Sequence, residues 1–241
     1  WRRGWHVLMK RRDIARNVAT LGRRAVVDVA ANRFIFMRGR LRGLQLTERS
    51  GDGAAWLIDT DQQATLTTWH DRREAETPGL FEVALPRLPQ ALMQMQTEGA
   101  AYCFIDTAPA HSEQNKGVIQ QADLVLIPVR PSPADLWAVS STVELVKDAG
   151  KPFLFVITQA KPQASITAQA IAALSQHGRV AQAFIADRVP YAVAITGGRT
   201  APEISPRSPA AEEIAALWQG VKSCFNETSK AVKQRRSVAN G

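Results

Sequence analysis

Three aspartates stand where carboxylates can act on a phosphate or a metal. Asp59 closes the apolar run Ala55-Trp56-Leu57-Ile58, Asp61 lies two residues later, and Asp106 closes Tyr102-Cys103-Phe104-Ile105. Carboxylates at neighbouring strand ends can hold Mg²⁺ directly or through water. One of them can also orient an attacking water in phosphoryl transfer. A single aspartate after a strand serves equally well to form a turn. Two strand ends carrying acids make a more specific pattern than one.

The elements that must position these acids show the same alternation along the chain. Leu124-Val125-Leu126-Ile127 is a third apolar run, Phe153-Leu154-Phe155-Val156-Ile157 a fourth ending at Thr158, and Ala183-Phe184-Ile185 a weaker fifth. Short continuous apolar runs predict strands buried on both faces of a parallel sheet. Helical stretches lie between them. Leu88 to Gln96 is one; a second opens at Ser132-Pro133 and stops at Gly150; a third runs from Ser165 to His177; the last opens at Ser208-Pro209. Serine supplies the capping oxygen, proline fits the first turn, and glycine ends a helix. In the last helix Ile214, Leu217, Trp218, Val221 and Phe225 fall on one face, and Glu212 and Glu213 sit near its positive end. Trp69 and Trp137 fall on helices and read as packing groups. The expected fold class is α/β: an open, mostly parallel sheet with helices on both faces, binding ligands at the carboxyl ends of its strands.

Charge divides the chain. Residues 1–53 hold thirteen Arg or Lys against four acids, a net +9, so the rest of this +8 chain is close to neutral at −1. Arginines interrupt every apolar run there, and Arg33-Phe34-Ile35-Phe36-Met37-Arg38 is the only plausible strand. The expected organisation is an atypical basic segment at 1–53, an α/β domain at 54–225 and a polar basic tail at 226–241. Cys103 and Cys224 match no metal-ligand spacing and read as reduced structural thiols. No apolar run approaches the roughly 18 residues needed to span a bilayer, and the basic start lacks the apolar stretch of a secretory signal, which leaves the cytoplasm as the expected location.

The flanks of the aspartates carry a family resemblance. Leu57-Ile58-Asp59-Thr60-Asp61-Gln62-Gln63 resembles the A′ motif of ParA-type deviant Walker partition ATPases, and Phe104-Ile105-Asp106-Thr107-Ala108-Pro109 resembles their Walker B strand. Leu126-Ile127-Pro128-Val129-Arg130-Pro131-Ser132-Pro133-Ala134-Asp135 resembles the next strand of that family and its Pro-Ser-Pro-x-Asp loop. Asp187-Arg188-Val189-Pro190 and Gly197-Gly198-Arg199-Thr200 resemble the late loop. The resemblance covers about residues 54–220. It implies a P-loop NTPase-like fold, with Asp61 positioning the hydrolytic water and Asp59 and Asp106 near Mg²⁺ and phosphates. It places Thr158, Arg188 and Pro190 toward the base of ATP. It further implies an ATP-dependent homodimer, binding to non-specific DNA, association with the nucleoid and a ParB-like centromere-binding partner. Arg199, Arg207, Lys222, Lys230 and Lys233 are available for DNA phosphates; as a solvated helix end, the last of them equally complement the helix dipole.

One part of the family pattern is missing. A Lys-Gly-Gly-x-Gly-Lys-Thr-Thr loop is expected near residues 25–40, and no Gly-Lys-Ser/Thr occurs anywhere in the sequence. Without the glycines the backbone cannot wrap phosphates, and without the lysine and hydroxyl the β- and γ-phosphates lose their main protein partners. Two accounts compete for residues 1 to about 50. In the first, the segment is out of frame with the remainder of the chain, which its arginine-rich, patternless character and initial Trp1 favour. In the second, it is a basic arm on a non-hydrolysing relative, acting as a nucleotide-free DNA-binding module. On either account ATP binding is expected to be weak or absent. A MinD-like membrane role would need an amphipathic C-terminal helix, and Ser229 to Gly241 carries few large apolar residues.

Overall fold

The computed structural model describes the backbone of residues 34–38, 54–98, 100–107 and 113–239, and the side chains of 55–98, 100–107 and 115–227. Six strands form one sheet: β1 (Phe34–Arg38), β2 (Ala54–Asp59), β3 (Gly79–Leu80), β4 (Ala100–Thr107), β5 (Leu124–Val129) and β6 (Phe153–Ile157). Their order is β3-β2-β4-β1-β5-β6. β2 is parallel to β3 and β4, and β5 to β6, while β1 runs antiparallel to both β4 and β5. All strands but β1 therefore end on the same edge. The sheet is mostly parallel, as its apolar runs predict.

Helices cover both faces: α1 (Thr65–Asp71), α2 (Leu88–Thr97), α3 (Glu113–Gln121), α4 (Pro133–Asp148), α5 (Ser165–Ser175), α6 (Val189–Thr196), α7 (Ala201–Ile204) and α8 (Pro209–Ala239). Strand side chains alternate between two cores. Ile58, Ile105, Ile127 and Phe155 face Leu92, Ile119, Val143 and Leu174 of α2 to α5. Leu57, Phe104, Leu126 and Val156 face Leu66 and Trp69 of α1 and Ile214, Leu217 and Phe225 of α8. Each such fully buried aliphatic contributes about 1.5–3 kcal/mol.

Several sequence expectations change in the structure. The strand in the basic segment does not stand apart from the α/β domain; β1 occupies the middle of the sheet. The fifth run, Ala183-Phe184-Ile185, is not a strand but a stretch flanked by two parallel bridges to β6 and its exit, Phe155 with Val180 and Ala160 with Ala186. The two-residue β3 has no apolar run to announce it. Trp137 is not a packing group: it is 79% exposed on α4. α8 continues without a break across residues 225 and 226 for 31 residues. The readings made of residues 1–33 and 39–53, and of the Lys230 and Lys233 side chains, lie outside the described residues.

Candidate functional site

Asp59 and Asp106 are direct register partners on neighbouring parallel strands. They share a face with Leu57 and Phe104, the side that α1 covers. Asp106 is buried, and so is Asp61 in the turn beyond β2. Thr60 ties that turn to β4: its amide and hydroxyl both donate to the Asp106 carbonyl, at 2.9 and 2.7 Å. Thr158, also buried, leaves β6 on the same edge and donates its amide to the Val129 carbonyl. The structure thus brings Asp59, Asp61, Asp106 and Thr158 to one edge of one sheet.

Asp59 uses its carboxylate to hold the fold. Its Oδ1 accepts from the Asp61 amide at 3.0 Å, and its Oδ2 from the Thr67 amide and hydroxyl at 2.9 and 3.0 Å. It therefore satisfies an open N–H in the first turn of α1, where a negative charge is favoured. Asp61 Oδ1 accepts from the Gln63 amide at 3.0 Å. At the tip of β4, Thr107 Oγ1 is buried with no hydrogen-bond partner among the described residues. Among the described residues no three His, Cys, Asp or Glu side chains gather closely enough to hold a metal ion by themselves.

The Pro-Ser-Pro-x-Asp run has a local physical basis. Ser132 caps α4 by accepting from the Asp135 amide. Asp135 in turn accepts from Arg130 Nε and Nη2, both at 2.9 Å. Burial would raise the Asp135 carboxyl, but the bonds from Arg130 and Ser132 outweigh it and hold the group below its ordinary value. Arg130 is thus a cation on the acidic edge whose charge Asp135 already balances.

Arg188 and Pro190 begin α6, with Pro190 exposed in its first turn. Arg188 Nε donates to Glu213 Oε1 at 2.8 Å, and Glu213 Oε2 accepts from Tyr191 Oη at 2.8 Å and from the Ala186 amide at 3.1 Å. Burial pushes Glu213 up, and these donors bring it below its ordinary value; burial and Glu213 together raise the Tyr191 hydroxyl. The guanidinium of Arg188 therefore fastens the loop to α8, where the resemblance pointed it toward a base. Glu213 was legible only as an acid near the positive end of the last helix. Of the residues assigned to DNA, Arg199 and Arg207 are exposed, and the Lys222 ammonium lies 5.6 Å from the Trp218 ring centroid.

ATP with Mg²⁺ needs acids beside the metal and a cationic backbone cradle around the phosphates. The described residues meet the first requirement only in part, because both Asp59 oxygens are engaged by the turn and α1, and they do not meet the second. A phosphate loop extends from the carboxyl end of a parallel strand. Here β1 pairs Phe34 with Thr107 and Arg38 with Cys103, so its carboxyl end points away from the acids. Together with the missing Gly-Lys-Ser/Thr, that leaves no polyphosphate cradle at this edge among the described residues.

A mostly parallel sheet covered on both faces, with acids at the carboxyl edge of adjacent strands, is the α/β class that the ParA-type resemblance implies. The VirC1 protein family model matches residues 49–188, more than half of the chain, and the chain belongs to that family. It is 30% identical over 132 residues to the maintenance of carboxysome distribution protein A of Halothiobacillus neapolitanus; the match covers 51% of this chain and 59% of that protein. The chain thus matches little more than half the length of that relative. Among solved structures, apo McdA of Cyanthece shares the fold at a TM-score of 0.56 and 19% identity, covering 71% of this chain and 87% of that one. A ParA family ATPase from Chlorobium tepidum does so at 0.53 and 12%, covering 70% and 85%. Among the described residues no helix is long and apolar enough to cross a membrane.

Proposed function

We propose that this chain is a positioning or partition protein of the ParA type that retains the acidic half of the site and, as its sequence stands, holds ATP weakly or not at all. The observation that carries this reading is the Asp59–Asp106 register, with Asp61 in the adjoining turn, inside the stretch that matches the family. The name of the carboxysome relative describes distributing a cargo, and DNA is the cargo or track we infer for this chain. Arg199, Arg207 and Lys222 would meet DNA phosphates without reading sequence. A homodimer and a ParB-like partner complete the proposal. The family roles of Asp61, Asp106 and Thr158 toward Mg²⁺ and nucleotide belong to it as well.

Isothermal titration of the full chain with ATP, with and without Mg²⁺, tests the reading. The expected result is no saturable heat below about 1 mM ATP, equivalent to binding no stronger than about 4 kcal/mol. Micromolar affinity would show that some other segment completes the cradle and would overturn the proposal.

A further inference from the structure

α1 has only seven residues and cannot hold an orientation by its own hydrogen bonds. Its N-terminal half is bound to the acidic edge through Thr67 and Asp59. Its C-terminal half, together with Arg72 and Arg73 just beyond it, is bound to the segment 196–204. Trp69 Nε1 donates to the Arg199 carbonyl at 3.1 Å. Arg73, one turn on, lies over the Trp69 ring at 4.6 Å and donates to the Gly198 carbonyl at 2.9 Å. Its two terminal nitrogens grip Glu203 at 3.2 and 2.8 Å, with side chains only 2% and 7% exposed. Glu203 also accepts from the Thr200 amide at 2.7 Å. Gly198 adopts φ +63°, and a Cβ there would sit 2.5 Å from the Arg72 carbonyl carbon. The two backbones therefore touch.

We propose that Arg73 and Glu203 are positioning residues that make α1 a rigid strut between the acidic edge and the exposed Arg199 surface. A displacement of the Asp59–Asp61 turn cannot then occur without a displacement of residues 198–203. The use of this coupling to report the state of the edge to a bound partner rests on the positioning function proposed above; the coupling itself does not. A carboxylate–guanidinium pair buried this deeply is costly to break from one side, so the strut yields as a unit.

Coupling of this kind is reciprocal, and amide hydrogen exchange on the full chain tests it in both directions. With Glu203→Gln, exchange of the Asp61 and Thr67 amides should rise about tenfold more than that of Leu126 and Val156 in the sheet, which report the global cost of breaking the pair. With Asp59→Asn, the Arg199 and Thr200 amides should show the same selective rise. Thr67→Ala, which removes one Asp59 contact, reads the same direction if Asp59→Asn does not fold. The proposal is overturned if either change is felt only at its own end. It is equally overturned if every amide accelerates by one common factor, which would mark general destabilisation. No nucleotide enters the measurement, so failure to bind ATP and failure of the strut are separate results.

Discussion

Trp69 and Trp137 are the same residue type on helices of the same molecule, yet one is 6% and the other 79% exposed. Both read as packing groups from the sequence, although the spacing on α4 carries the difference. On α4 the buried positions include Val139, Val143 and Val146, at intervals of four and three. Trp137 is two residues before Val139 and so points off that stripe. Trp69 sits three residues after buried Leu66 and adds an indole bond to Arg199. Trp69→Ala should cost about 3–5 kcal/mol through the cavity it leaves, whereas Trp137→Ala should stay within about 0.5 kcal/mol. Chemical denaturation of the two variants against the parent chain checks both values.

Between elements, what could be foreseen depended on whether the contact was local. The Ser132 and Thr200 caps lie within four residues of their partners, and Thr200-Ala201-Pro202-Glu203 even carries the spacing of a capping box. The grip of Arg73 on Glu203 spans 130 residues and leaves no trace in spacing. Nor does the polarity of β1, because an apolar run predicts a strand without its direction. The same clamp predicts a pH dependence. Burial would raise the Glu203 carboxyl, but the bonds from Arg73 and Thr200 hold it below its ordinary value of 4.5. A carboxylate depressed in the folded state stabilises fully above its unfolded value, and the contribution is lost as pH falls through the folded one. The melting temperature of the parent chain should therefore fall more steeply than that of Glu203→Gln between about pH 5 and pH 3. Parallel slopes for the two proteins would mean that the pair carries no linkage.

At the scale of the whole molecule, the charge boundary near residue 53 does not coincide with the boundary of the folded sheet. Composition separates residues 1–53 from the rest, but β1 within that segment pairs five residues with β4 and three with β5. Removing residues 1–53 would leave β4 and β5 about 10 Å apart, two strand spacings, each with an unpaired ladder flanked by core residues such as Phe104 and Leu126. A chain beginning at residue 54 should accordingly lose its cooperative melt or aggregate. One beginning at residue 31 keeps β1 and should melt within a few degrees of the full chain. Circular dichroism melts of the two truncations decide the point. The shorter deletion is also the correct probe of the basic residues. It removes eight of the thirteen Arg and Lys in the first 53 residues without opening the sheet, so any loss of DNA binding can be assigned to charge. If the chain from residue 54 melts as cooperatively and as high as the parent, β4 and β5 close on each other without help, and β1 contributes nothing to the fold.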